Sequence, residues 1–376
     1  MRVIRWLLIA WVVAIAVAWA AVASTPVSPA PVRPTLSRGI NITNWFRFPG
    51  SSDPAALAGY LSDRALGVLR RVGFDFVRLA IDPELPVLIP AELAAIRRLQ
   101  HAGFAVIVSP HPHDWHLEAD PAPLLRFWQA MAPRLRPLDP AKTVPEILNE
   151  PVFPQDPAGW AALQHRVLAD IRAVLPDVTV VLTGQDWGSV GGLLALAPEA
   201  DPNVLYSFHF YDPAELTSLA AWLPSADHDA FARLPFPVSD PALCRRQASA
   251  AEDAPSARLI GAYCDWHWDA DRLAELIRRA AGWARRHNVR LIAGEFGATT
   301  QLNRSARLAW IAAARSAFAA EGIAWTLWGY EDIMGFAVPR PPPPDPVLDA
   351  GLLTALGMIT KKWTDRCLSV VMAVPI

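Results

Sequence analysis

The chain has 376 residues, and its 34 Lys and Arg against 36 Asp and Glu leave a formal net charge of −2. That balance argues against a nucleic-acid binder, which needs a basic field to displace counterions from phosphates. Hydrophobic residues at 53% and charged residues at 19% suit a large core and exclude a disordered chain, and 16 tryptophans suggest that some line a surface for flat rings.

The first element is an address. Arg2 and Arg5 precede an uncharged apolar run from Trp6 to Ala23, and Ala21-Val22-Ala23 offers the small-x-small pattern of a signal peptidase site. Residues 1–23 therefore read as a secretory signal or, since the run is just long enough to span a bilayer, as an uncleaved N-terminal anchor attaching the chain to a membrane through residues 6–23. Either way the rest lies outside the cytoplasm, secreted or periplasmic. Pro26, Pro29, Pro31 and Pro34 make residues 24–35 an extended spacer. The folded domain is expected over 36–363, followed by a tail at 364–376.

Eight segments of strand length follow, mostly rich in Val, Ile, Leu and aromatics as buried parallel strands should be. They are Gly39–Phe46, Phe74–Ile81, Ala105–Pro110, Glu146–Asn149, Thr179–Gly184, Val204–Phe210, Arg290–Glu295 and Ala324–Trp328. Helical periodicity is clear over Ala55–Arg71, Ala91–His101, Asp269–Arg286 and Ser305–Glu321. This α/β alternation predicts a (β/α)8 TIM barrel, and no glycine-rich dinucleotide fingerprint follows any strand. Between Tyr211 and Trp268 six prolines interrupt the pattern, which predicts a long loop insertion after strand six. That stretch holds Cys244 and Cys264, which either form a disulfide, leaving Cys367 over, or remain free with it.

In a barrel, polar residues at the C-terminal strand ends are the candidates for chemistry. Strand two carries Arg78, and strand three leads into His111-Pro112-His113. Strand four ends Asn149-Glu150-Pro151, strand six His209-Phe210-Tyr211, strand seven Gly294-Glu295 and strand eight Trp328. Two carboxylates, Glu150 and Glu295, thus reach one face. Glycoside hydrolysis needs such a pair: one acid to protonate the leaving oxygen, and one nucleophile or base.

On these residues, in this strand order, the sequence resembles the retaining (β/α)8 glycoside hydrolases of family 5, the cellulase family, from about Leu36 to Lys362. The resemblance implies that Glu150 is the general acid/base, that Glu295 is the nucleophile and that Asn149 contacts the sugar 2-hydroxyl. On physical grounds Arg78 and Tyr211 are expected beside Glu295 to keep it ionised. Glu150 must hold its proton near neutral pH, which partial burial and the charge of Glu295 would favour. His111 and His209 would tune the pair and hold hydroxyls. Trp328, Trp45 and Trp187 are expected to stack on sugars, with Trp115, Trp266 and Trp268 as further candidates.

The expected activity is an exported endo-β-1,4-glucanase acting on a polysaccharide or oligosaccharide as a monomer, with no cofactor and no metal. β-Mannans and β-1,3-glucans are the alternatives within the family. Two other classes remain open: a metal-dependent hydrolase built on His111 and His113, and a non-catalytic glycan-binding protein.

Overall fold

A computed structural model describes residues 33–248 and 251–358. The leader, most of the spacer and the C-terminal tail lie outside the described residues. So does Cys367.

Eight parallel strands form the barrel: β1 (Arg38–Phe46), β2 (Phe76–Ile81), β3 (Ala105–Pro110), β4 (Thr143–Pro145), β5 (Val180–Thr183), β6 (Val204–Phe210), β7 (Arg290–Phe296) and β8 (Ala324–Leu327). β1 pairs with both β2 and β8, so the sheet runs from β4 through β1 and β8 to β5. A parallel bridge between Glu146 and Val181 joins the two ends and nearly closes the ring. β4 starts and ends earlier than the sequence suggests. The residues read as its strand, Glu146–Asn149, instead carry the chain from that bridge to the mouth, held by Glu146 N–H to Val108 and Asn149 N–H to Pro110.

Side-chain alternation sorts the strands into two cores. Phe76, Ile107, Val144, Val181, Leu205 and Ile292 point inward and fill the lower barrel. Their neighbours Val77, Leu79, Val106, Val108, Tyr206 and Phe208 point outward and pack under the helices. On β2 the inward set continues from Phe76 to Arg78, so the arginine enters the barrel axis one layer above the apolar plug.

The surrounding helices begin at recognisable caps. Asp156, Asp269 and Asn303 accept backbone N–H groups at the starts of Pro157–Val174, Ala270–His287 and Arg304–Ala320. The segment expected as one helix over Ala55–Arg71 is two, Pro54–Gly59 and Asp63–Val72, because Ser62 caps a new start. Gly73, at φ 109°, then ends the second in the left-handed conformation that glycine adopts without a Cβ clash.

The stretch after β6 is not the long open loop expected. It holds four short helices, Ala214–Thr217, His228–Ala232, Pro241–Ala248 and Ala254–Asp265. Phe231, Leu234, Ile260 and Tyr263 are buried among them. Cys244 and Cys264 form a disulfide that ties the last two helices together. Among the described residues, no helix is long and apolar enough to cross a membrane.

Candidate active site

The barrel mouth gathers Asn41, Arg78, His111, Asn149, Glu150, His209, Tyr211, Glu295 and Trp328 from seven strands or their ends. At its centre Arg78, fully buried, spends its whole fork. Its Nη1 donates to Glu295 Oε1 at 2.6 Å and to Asn41 at 3.0 Å. Its Nε and Nη2 donate to the two oxygens of Glu146 at 2.6 and 2.9 Å, and Nη2 reaches Asn149 Oδ1 at 2.8 Å. Burial opposes the charge of Arg78, yet Glu146 and Glu295 outweigh it and push its pKa up. Arg78 therefore lies under the carboxylates and supports them from below, out of reach of a ligand.

Glu295 takes a second donor, the Tyr211 hydroxyl, at 2.9 Å. Its inward direction depends on a bulge. Strict alternation from the inward Ile292 would turn Glu295 toward the helices. Instead the register slips, with Phe208 paired to Ala293 and His209 to Glu295, so Gly294 is the extra residue. Gly294 has no room for a side chain, since a Cβ there would meet Ser207 Oγ at 2.3 Å.

Glu150 follows β4 with φ 42°, a backbone region that few residues other than glycine occupy. Its Oε1 pairs with His209 Nδ1 at 2.9 Å, and the same nitrogen lies 3.4 Å from Glu295 Oε2. Ligating atoms of Glu150, His209 and Glu295 all fall within 4.8 Å of one another. The two carboxylates differ in access: the Glu150 side chain is 25% exposed and that of Glu295 is 5%. One faces the cleft while the other sits deep. Such a spacing suits direct attack on a sugar by one carboxylate and leaves too little room for a water between them.

Burial disfavours a charged His209, but the two carboxylates outweigh it and raise its pKa. His111 goes the other way. Its burial, reinforced by the positive Arg78 and Arg47, holds its pKa well below the ordinary value, so it is a neutral imidazole. It stacks on Trp328 at 5.6 Å and pairs through Nε2 with Ser109 at 3.0 Å. Burial, then Glu295, keeps the Tyr211 hydroxyl protonated far above the usual range.

Two cavities open here. One of about 600 Å³ is lined by Trp115, Trp187 and Glu150 among others, and one of about 340 Å³ by Glu150, Tyr211, Glu295 and Trp328. Trp187 is 61% exposed and projects from a turn in which Asp186, Trp187 and Gly188 all have positive φ. Trp45 does not reach the cleft. An irregularity in β1 between Ile42 and Phe46 breaks the alternation, and Trp45 packs outward on Phe46 and Tyr60, donating its indole N–H to Leu57. Of the insertion pair, Trp268 is buried and Trp266 exposed, and the two rings stack. His113 lies against the Arg47 carbonyl and Asp82, and the only three-residue ligand cluster among the described residues contains neither it nor His111. The metal reading built on that pair therefore finds no ligand set there.

The profile of the cellulase family, glycosyl hydrolase family 5, matches residues 69–332. The chain belongs to glycosyl hydrolase family 5. Family 5 enzymes hydrolyse O-glycosyl bonds with retention at the anomeric carbon. Endoglucanase 3 of Fibrobacter succinogenes is 23% identical over 335 residues, covering 78% of this chain and 49% of its own, so this family 5 chain spans about half the length of that relative. Structures of Thermotoga maritima Cel5A in complex with cellobiose and with mannotriose share the fold. Each has a TM-score of 0.67 and covers 85% of this chain and 97% of its own, at 20% and 21% identity.

Sequence reasoning passed over Asn41, Glu146 and Arg47. Glu146 had a readable signal, a polar residue at the edge of a strand whose inward Val144 is apolar, while the signal of Asn41 was blurred by Thr43 and Asn44 on the same strand. Arg47 had none, since a charged residue just past a strand looks like ordinary surface.

Proposed function

We propose that the chain is an exported endo-acting β-glycanase, with β-1,4-glucan as its backbone and β-mannan as the second candidate. The observation that carries this is the close carboxylate pair with unequal surroundings. Glu295 receives a cation and a hydroxyl donor, which suits a group that must be charged when it attacks. Glu150 is the more open and shares His209, which suits a group that exchanges protons with the leaving oxygen and then with water.

In the first step a Glu295 oxygen bonds the anomeric carbon, the glycosidic bond breaks, and Glu150 gives its proton to the departing oxygen. In the second, Glu150 takes a proton from water, the resulting hydroxide equivalent attacks the same carbon, and the Glu295 bond breaks. Asn149 is held by Arg78 through its carbonyl oxygen, which leaves its amide N–H groups for a sugar hydroxyl. Trp328 and the neutral His111 form one wall, and Trp187 offers a flat face further out. The Cys244–Cys264 disulfide belongs to an oxidising compartment and supports export, as the leader does. The mannotriose complex of the Thermotoga enzyme is the reason to keep β-mannan beside β-glucan.

The test is hydrolysis of soluble β-glucans and β-mannans by the full chain, with trapping by a 2-deoxy-2-fluoro glycoside. A covalent adduct on Glu295 and a loss of about a thousandfold in kcat for Glu150→Gln and for Glu295→Gln are expected. An adduct elsewhere, or variants that cut as well as the wild type, would sink the assignment.

A further inference from the structure

Arg47 follows β1 at the rim of the site, and its charge is uncommitted. Its guanidinium carbon lies 4.9 Å from the centre of the Phe48 ring and 5.7 Å from that of Trp328. Its Nε is buried without a hydrogen-bond partner, and among the described residues no nitrogen of its side chain has a hydrogen bond or an ion pair. Burial, the largest influence on it, opposes the charge and lowers its pKa.

The acids that face it are engaged elsewhere. Glu295 is held by Arg78 and Tyr211, Glu150 by His209, and Asp332 receives the Met334 N–H. Glu118, across the larger cavity, takes the N–H groups of Gln155 and Asp156. A half-buried guanidinium with unspent donors is costly unless something arrives to accept from it.

Arg47 lines both cavities, and so do Asn149 and Glu150. Whatever it holds must therefore sit on a sugar next to the cleavage point. The rings of Phe48 and Trp328 lie against the guanidinium, and its two Nη groups, unlike the buried Nε, form the edge left for a ligand. That edge matches a carboxylate through two parallel hydrogen bonds. A neutral hydroxyl would accept only one of these.

We propose that Arg47 reads a carboxylate on the glycan, so that the substrate class is an acidic β-glycan with a uronic acid residue at or beside the cleaved bond. This rests on the glycanase reading and deepens it. The probes are a cello-oligosaccharide and the same chain with one glucose oxidised at C6 to glucuronic acid. In wild-type enzyme kcat/KM is expected to favour the acidic chain by about tenfold or more, mainly through KM, the fold-change of one hydrogen-bonded charge pair. Salt should shrink the preference. Arg47→Gln should bring the ratio near one, and Arg47→Lys should keep part of it.

Calorimetry on the Glu295→Gln variant, with and without Arg47→Gln, measures the same preference without turnover. If nothing is cut but the acidic chain binds tighter through Arg47, the proposal stands and the hydrolase reading falls. Equal binding of the two chains, or none, overturns the proposal. An Arg47→Gln loss equal on both chains overturns it as well, and a shifted pH–rate profile would then assign Arg47 to the charge balance of the carboxylates.

Discussion

His209 is the hinge of the electrostatics at the residue scale, because one nitrogen serves both carboxylates. Its pKa is raised in the folded chain, while in the unfolded chain it stays near the usual 6.5 or so. The stabilisation it supplies is therefore fully present below about pH 6.5 and is lost as pH rises through the higher folded value. The gap in Tm between wild type and His209→Asn should be widest in mildly acidic buffer and narrow as pH rises through the raised folded value. A gap that widens with pH would contradict the sign. At this scale the sequence displayed Glu150, His209, Tyr211 and Glu295 as polar residues at or just past the ends of strands, and Arg78 as the one charge within an apolar strand. It hid Arg47, whose interest lies in what its side chain lacks, and pairing cannot be read from a one-dimensional string.

Elements that looked regular were legible, and those that depend on an irregularity were not. β3 runs Ala105–Pro110 as its apolar run suggests, but the slips in β1 and β7 leave no trace in composition. One turns Trp45 out of the cleft and the other turns Glu295 in. Six prolines make the insertion look like loop, since proline breaks helix interiors. Pro241 and Pro255 instead stand in the first turns of their helices, where the missing N–H costs nothing. The helix Ile89–His101 carries a different burden, Glu92, which is buried and whose Oε2 has no hydrogen-bond partner. Burial, then the negative Asp82, pushes its pKa up to about 8. The folded chain thus keeps a proton that the unfolded chain releases near 4.5, so stability falls as pH rises between those values. Glu92→Gln should raise Tm, with little gain near pH 4.5 and a gain on the order of 3 kcal/mol at pH 7. Parallel melting curves for the two proteins across that window would disprove it.

Across the whole molecule, the barrel was legible from eight repeats, while the compactness of its largest excursion was not. The disulfide spans a separation of 20 residues and staples the part of the chain least supported by the sheet. Removing it with Cys244→Ala and Cys264→Ala together should cost up to about 3 kcal/mol by the chain-entropy account. Proteolysis of the native enzyme should then begin within residues 212–268, and reductant should have the same effect on the wild type. First cuts elsewhere would show that the insertion holds without it.

The bridge at Glu146 has a consequence for how this enzyme would look in a mutational screen. The same residue closes the ring against β5 through its backbone and clamps Arg78 through both carboxylate oxygens. A screen scored on turnover should return three indispensable acids, with Glu146 ranking beside the two proposed to act on the sugar. Its loss would strip the buried guanidinium of two of its hydrogen bonds at the weakest seam of the cylinder, so inactivation and loosening of the scaffold would arrive as one event. The chemistry of this enzyme and the integrity of its wall share a residue, and a count of essential carboxylates would overstate the number that touch substrate.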